Sequence, residues 1–408
     1  MSNHRKIVFF GLFGGTNIGN DASLTSVHQA FQSASPDARF ACISCGPEAV
    51  LQSHGLDGIL IERSPTGHWR RLRPAALRLL SRILFWLPAE CVGFFRIWRY
   101  LRDTKAIVFP GTGILDDFGL SPFGLPYELL KWTLVARLRR IPLVYVCIGA
   151  GPLTHPVSRL LMTSAARLAT FRSFRDEYSR NYLSASGIDT SRDEIRPDVV
   201  FRLAVPRHSP RKAPSEGDLV VGLGIMTYLG WTDSAADGEP IYRDYLRKME
   251  TFLRYLLSRG HSVRLLVGQA SDDRARVDIM SAVQASDFAN GRGSISAPEI
   301  SSFDSLVEQI AGCDVVVATR FHNVVGALMA GVPVISLGYA TKNDELVAHF
   351  GLDRYAQHVE SFDEERLIAD FEHIVPRLAE YGSIVSSTAD AHRQALEDHL
   401  RRVAALYL

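Results

Sequence analysis

Cysteine is scarce and follows no pairing pattern: the 408 residues contain five, an odd and scattered set that builds no disulfide framework. Cys42 and Cys45 stand at CxxC spacing, but no second pair follows, and they close a strand-like run rather than open a helix. Packing therefore outweighs a zinc or redox role. Long apolar runs are missing too. None reaches the roughly 18 to 20 residues that a spanning helix needs, and Met1 to Phe10 is too short and too soon interrupted to read as a signal peptide. Net charge is nearly absent: 45 Lys and Arg against 44 Asp and Glu leave +1, which argues against a general nucleic-acid binder. A cytoplasmic location is the expectation. What is present, 47% hydrophobic and 22% charged residues, fits a soluble globular chain. Its length exceeds one ordinary core and implies two or three domains.

Short apolar runs alternate with helical periodicity along the chain. Ile7 to Phe10 reads as a buried strand that enters Gly11-Leu12-Phe13-Gly14-Gly15-Thr16-Asn17-Ile18-Gly19-Asn20-Asp21, and a helix follows with Leu24, Val27 and Phe31 on one side. A strand, a glycine-rich turn and a helix leave backbone N–H groups open to an anion or a sugar. The spacing is not GxGxxG, and no acidic residue ends the next strand at the right distance, so a nicotinamide site is unsupported. Strands are expected again at 105–110 and 143–148, closing on Gly111-Thr112-Gly113 and Gly149-Ala150-Gly151-Pro152. Residues 206–217, rich in proline, serine and charge, read as a linker. Beyond it the alternation restarts at 219–225 and 262–267, with a helix predicted over Ile241 to Arg259. The expected fold is α/β: two doubly wound Rossmann-like domains facing a cleft, 1–205 and 218–360. A helical tail at 361–408 is expected to cross back to the first domain.

The stretch from Trp69 to Arg102 differs from its surroundings. Eight arginines against one glutamate, interleaved with Phe85, Trp86, Phe94, Phe95 and Trp98 on helical spacing, suit the headgroup zone of an anionic membrane. Pro88 and Glu90 break the apolar part, so it would lie on a bilayer and not cross it. Core helices whose arginines snorkel to solvent are the competing reading.

The most chemically suggestive stretch is Val315-Val316-Val317-Ala318-Thr319-Arg320-Phe321-His322-Asn323. A buried parallel strand ends in polar residues, and a helix with Val324, Val325, Leu328 and Met329 on one stripe begins at once. Arg320 and His322 thus fall between a strand's carboxyl end and a helix's amino end, where open α/β sheets bind ligands and the helix dipole favours anions. Lys342 follows the next strand. A guanidinium, an imidazole and an ammonium could converge there on a small anion. A surface loop with a capping histidine is the alternative.

Several separated motifs resemble one family, the polysaccharide pyruvyltransferases. The turn from Gly11 to Ala22 resembles the family's G-x-x-G-x-x-N-x-G-D-E-A, with Asn20 and Asp21 in place of the acidic pair. Gly111-Thr112-Gly113-Ile114-Leu115-Asp116-Asp117 is similar to its second glycine-rich turn, and Gly149-Ala150-Gly151-Pro152 to its G-x-G-P loop. Arg175-Asp176-Glu177-Tyr178-Ser179 resembles R-D-x-x-S, Arg196-Pro197-Asp198 the aspartate that follows, Arg320-Phe321-His322 the R-x-H, and Tyr339-Ala340-Thr341-Lys342 the Y-x-x-K. The resemblance runs from about Gly11 to Gly351.

It implies a GT-B-like fold and transfer of pyruvate from phosphoenolpyruvate onto a sugar of a surface-polysaccharide precursor, as a ketal. On that basis His322 is the expected general acid/base. Arg175, Arg320 and Lys342, with Gly149 and Gly151, are the expected donor-binding residues. Asn17, Asp21 and Gly113 are assigned to the acceptor side. No metal or other cofactor is expected. The acceptor is expected to be lipid-linked, with peripheral attachment to the inner face of the cytoplasmic membrane through 69–102. Asp198 is read as structural and Tyr339 as packing. Two alternatives stand beside this one. A GT-B nucleotide-sugar glycosyltransferase is suggested by Gly326 to Ile335, although the acidic residue that usually grips the ribose is missing. A non-catalytic member serving polysaccharide assembly is suggested by the Asn20-Asp21 departure.

Overall fold

A computed structural model of the protein describes residues 5–15, 17–61, 87–208, 219–230, 235–284 and 293–408. The 69–86 part of the basic stretch and most of the 206–217 linker lie outside the described residues. The chain divides into two compact units. Unit 1 comprises Met1–Gly15, Ser23–Val199 and Asp398–Leu408, and unit 2 comprises Thr16–Ala22 and Val200–Glu397.

Unit 1 is built on β1 (Lys6–Phe10), α1 (Ile18–Ala34), β2 (Phe40–Ser44), α2 (Pro47–His54), β3 (Gly58–Leu60), α3 (Leu87–Tyr100), β4 (Thr104–Pro110), α4 (Leu125–Leu138), β5 (Leu143–Ile148), α5 (Pro156–Arg167), β6 (Phe171–Phe174), α6 (Glu177–Ala185) and β7 (Glu194–Ile195). The boundary between the units falls within α1, after its first turn. The seven strands form one parallel sheet in the order β3-β2-β1-β4-β5-β6-β7. Helices cover both faces of such a sheet, so its central strands carry apolar residues on both sides; β5 is buried at every position. Phe109 and Tyr145 stack at 4.0 Å between adjacent strands, and Phe10 and Trp132 extend that core.

Unit 2 follows the same plan with β8 (Val220–Gly224), α7 (Ala235–Ser258), β9 (Ser262–Leu265), α8 (Asp273–Gln284), β10 (Ser294–Ser296), α9 (Phe303–Ala311), β11 (Val315–Ala318), α10 (Phe321–Ala330), β12 (Val334–Gly338), α11 (Thr341–His349), β13 (Ala356–His358), α12 (Glu364–Ile374) and α13 (Leu378–Tyr407), which passes into unit 1 from Asp398. The order β10-β9-β8-β11-β12-β13 is again wholly parallel. Both sheets reverse direction beside their first strand, at β1/β4 and at β8/β11. That switch point is where a doubly wound sheet opens a crevice at its carboxyl edge.

Two expectations shift. The helix expected over Ile241 to Arg259 starts at Ala235, because Pro240 sits in the second turn and does not end it. Strands β7, β10 and β13, two or three residues each, carry no apolar run and were not anticipated. The CxxC pair splits by environment: Cys42 is buried in β2, whereas Cys45 is exposed with its Sγ 3.1 Å from the Phe13 carbonyl.

Candidate functional site

In unit 2 the turn after β11 is fixed from both sides. Thr319 donates its backbone N–H to the Gly224 carbonyl of β8 (3.0 Å), and its hydroxyl lies 3.0 Å from the Tyr245 hydroxyl of α7. Arg320 then takes the N-cap position of α10 in extended geometry, and its carbonyl accepts from Asn323 and Val324 N–H. Its side chain does not cap the helix. It reaches the loop after β9 and meets Asp272 edge to edge: Nε donates to Oδ2 at 2.7 Å and Nη2 to Oδ1 at 2.6 Å. Asp272 is 0% exposed and also accepts the Thr227 N–H at 3.0 Å. Burial works against the Arg320 charge, but the Asp272 carboxylate outweighs it and holds the guanidinium pKa above its ordinary value.

His322 is the second residue of α10 and is half-buried. Phe321 and Phe303 meet its ring edge-on, at 5.4 and 6.4 Å between centroids. Its third neighbour is the start of α1. A Cβ built on Gly19 would stand 2.1 Å from His322 Nδ1 and 2.2 Å from Cγ and Cε1, so only glycine lets the imidazole lie against this backbone. Asn17 shapes the same turn, its Oδ1 accepting the Gly19 N–H at 3.1 Å as an N-cap does. The first turn of α1 therefore belongs with unit 2, next to His322, although its position in the sequence suggests the first domain. Asn17 and Asp21 come with it, and both are half-buried. The amino ends of α1 and α10 thus meet at one imidazole, and each brings the positive end of a helix dipole.

Lys342 occupies the first turn of α11, after β12, the strand that pairs with β11. Its Nζ lies 5.5 Å from the Tyr339 ring centroid, and Tyr339 in turn faces Tyr228 at 6.3 Å. The Tyr228 hydroxyl donates to Glu360 Oε1 at 2.6 Å; burial, then that carboxylate, push its pKa up. Arg320, His322 and Lys342 thus share the carboxyl edge of the unit 2 sheet, on neighbouring strands.

Unit 1 holds the remaining predicted residues. Arg175 follows β6 with its side chain only 5% exposed, Nη1 donating to Asp198 Oδ2 at 3.0 Å and Nε 3.5 Å from Asp176 Oδ2. Asp176 also caps α6 by accepting the Ser179 N–H at 2.7 Å, and the Ser179 hydroxyl accepts the Ala150 N–H at 2.9 Å. The R-D-x-x-S element is therefore a brace for the loop after β5. Gly149 is required there because a Cβ would meet Arg175 Nη2 at 2.7 Å and Cζ and Nε at 2.9 Å. Gly151, at φ +72°, packs under the Tyr182 ring, and Gly113 beside Asp116. Asp117 accepts the N–H groups of Thr154 and His155, both at 2.9 Å, and so ties the second glycine-rich turn to the same loop.

Two participants escaped the sequence reading. Gly19 was visible only as part of a motif. Asp272 had a usable signal, a Ser-Asp-Asp cluster after a strand and before a helix, at the sheet edge where ligands bind. Among the described residues, no group of three or more His, Cys, Asp or Glu side chains could hold a metal ion, and no helix is long and apolar enough to cross a membrane.

Solved structures with the same architecture include UDP-GlcNAc 2-epimerase from Methanocaldococcus jannaschii (TM-score 0.55, 10% identity, 90% of this chain and 91% of that one). HepE from Anabaena in complex with UDP gives a TM-score of 0.56 at 12% identity over 98% of both chains. UDP-GlcNAc 2-epimerase from Neisseria meningitidis bound to UDP-GlcNAc gives 0.53 at 11%, over 96% of this chain and 98% of that one. At such identities the likeness shows the fold alone, which is GT-B-like. No curated protein matches the chain. A family model described as polysaccharide pyruvyl transferase does match, over residues 17–341. That span opens on the Asn17 cap, contains the Arg175 brace and the Arg320–His322 turn, and covers well over half the sequence: the chain belongs to the polysaccharide pyruvyl transferase family.

Proposed function

We propose that this protein transfers the pyruvyl group of phosphoenolpyruvate onto a sugar of a surface-polysaccharide precursor as a ketal. The observation that carries the reading is the turn after β11. There an imidazole flanked by two helix amino ends stands two residues from a guanidinium locked in plane by Asp272. Phosphoenolpyruvate needs oxyanion recognition and a proton at its methylene carbon, and these groups suit both needs. In this reading His322 delivers that proton, one sugar hydroxyl adds to the resulting cationic carbon, phosphate leaves, and a second hydroxyl closes the ketal. Arg320, Lys342, Arg175 and the Gly149 and Gly151 backbone serve the donor; Asn17, Asp21 and Gly113 serve the acceptor. No metal or organic cofactor enters this scheme.

The test is phosphate release from phosphoenolpyruvate in the presence of candidate sugars that carry a free hydroxyl pair. Turnover is expected with the wild-type protein and should drop at least about 100-fold in His322→Ala. Normal turnover in that variant would remove His322 from the chemistry. Stabilisation by UDP or GDP but not by phosphoenolpyruvate would instead mark a nucleotide-sugar enzyme.

A lipid-linked acceptor and an anionic membrane surface complete the proposal. Helix α3 exposes Val92, Phe95 and Trp98 at three-residue spacing, and α4, packed against it, exposes Leu134 and Leu138. Arg139 lies 4.5 Å over the Trp98 ring, and Arg99, Arg102, Arg137 and Arg140 are exposed on the same two helices or just beyond their ends. Apolar anchors ringed by guanidinium groups match the interface of a bilayer rich in acidic lipid. Co-sedimentation with phosphatidylglycerol vesicles, but not with phosphatidylcholine vesicles, is expected, and Phe95→Ser/Trp98→Ser should abolish it. Equal binding of the double variant would reject this surface.

A further inference from the structure

We propose that Asp272 is a positioning residue for the donor, acting through Arg320; the inference rests on the reading that Arg320 binds phosphoenolpyruvate. A guanidinium offers two forked edges to oxyanions. Asp272 occupies the Nε–Nη2 edge with two short parallel bonds and leaves the Nη1 side for a second oxyanion. The carboxylate is itself immobile. It is fully buried, and its Oδ1 also accepts the Thr227 N–H at 3.0 Å. Thr227 follows β8, Asp272 follows β9 and Arg320 follows β11, and these three strands lie side by side in the order β9-β8-β11. One carboxylate therefore ties together the three loops around the switch point and sets the plane in which Arg320 presents its remaining N–H groups. Ser271 Oγ accepts a longer bond from Nη2, at 3.4 Å.

Positioning and simple charge compensation predict opposite results, which makes the inference testable. Removing a negative charge beside an anion site strengthens anion binding. Releasing a guanidinium from its plane weakens binding. The experiment is calorimetric titration of phosphoenolpyruvate into wild type, Asp272→Asn, Arg320→Gln and Asp272→Asn/Arg320→Gln, with KM and kcat from phosphate release. The expected result for Asp272→Asn is a rise in Kd and KM of about tenfold or more, against a smaller change in kcat. Adding Asp272→Asn to Arg320→Gln should then have no further effect. If Asp272→Asn does not fold, Asp272→Glu keeps the charge but shifts the carboxylate, and a comparable rise in Kd is expected. Unchanged or tighter binding in either variant overturns the proposal. Wild-type protein that binds no phosphoenolpyruvate overturns the donor assignment itself, a distinct outcome.

Discussion

Replacing Gly19 with alanine adds one methyl group beside His322. The new Cβ would fall 2.1 Å from Nδ1 and 2.2 Å from Cγ and Cε1. Comfortable contact begins near 3.4 Å, so the imidazole must retreat by roughly 1.3 Å or tilt out of its slot. Phe303 and Phe321 already meet the ring edge-on and restrict where it can go. A misplacement of about 1 Å in a group that must meet a reacting atom costs on the order of 100-fold in rate, or about 2.7 kcal/mol of barrier. Meanwhile the helix itself should gain slightly. Gly19 lies in the first turn of α1, so the gain is at most the roughly 0.5–1 kcal/mol by which alanine is favoured in helix interiors, and it only partly offsets the overpacking.

The expected signature is thus a loss of turnover in a protein that still folds. Phosphate release at saturating phosphoenolpyruvate should fall about 100-fold. Overpacking should lower stability by about 1–3 kcal/mol, and the His322 ring resonances should shift in a proton–nitrogen spectrum. Full turnover together with a shifted ring would refute the role of His322 in proton transfer. An unshifted ring would refute the packing argument.

Other substitutions probe the unit 1 brace and the final helix. Gly149→Ala pushes a Cβ into the Arg175 guanidinium, which Asp176 and Asp198 hold in place. Its expected cost is about 1–3 kcal/mol in urea denaturation. Asp198→Ala removes the closer carboxylate of buried Arg175 and keeps the more distant one of Asp176, at 3.5 Å; the expected loss is about 3 kcal/mol, the low end for breaking a buried pair. His399, on α13, is buried with Nε2 3.0 Å from the Ser173 hydroxyl. Burial pushes its pKa from 6.5 down to about 4, while Glu194, shared with Arg196 and Arg402, pulls back too weakly. Between those values the unfolded chain binds the extra proton. Stability is therefore full above about pH 6.5 and declines by about 3 kcal/mol as the pH falls towards 4. In His399→Gln the thermal midpoint should depend less steeply on pH across that window, and an unchanged slope would contradict the assignment.

The parallel-sheet framework is legible because both faces of its central strands are buried. Val315 to Ala318 and Leu143 to Ile148 read as strands from composition alone, and strand–turn–helix junctions follow from where the apolar period changes. The edge strands of unit 2 are not legible, whereas β3 of unit 1 is, from the Ile59-Leu60-Ile61 run. Ser294 to Ser296 and Ala356 to His358 pair on one side only and need no apolar run. Pairing partners distant in sequence are invisible for a different reason. Nothing local in Arg320 announces Asp272, 48 residues earlier, and nothing local in Gly19 announces His322. Both contacts arise only when the topology brings separate loops to the same sheet edge. The turn containing Asn17 and Asp21 shows the same limit, since it joins unit 2 while the chain on either side of it, through Gly15 and from Ser23, belongs to unit 1.

Charge accounting in the structure changes what the arginines are for. Counted from the sequence, Arg175, Arg320 and Lys342 are three positive charges for a multiply charged donor. In the fold, Arg320 carries its own buried carboxylate and Arg175 carries two. A guanidinium with so little exposure as Arg175 would cost several kcal/mol without such partners. In the proposed function the pairs would contribute direction, with rigid N–H forks at fixed angles in place of net attraction. On the same reading, Lys342, which makes no ion pair among the described residues, and the helix amino ends beside His322 would supply the attraction. Arg320→Lys keeps the charge and loses the fork, whereas Lys342→Arg keeps the charge and needs no fork. The first substitution should therefore be far more damaging to phosphoenolpyruvate binding than the second, and equal losses in calorimetric titration would show that charge alone holds the donor.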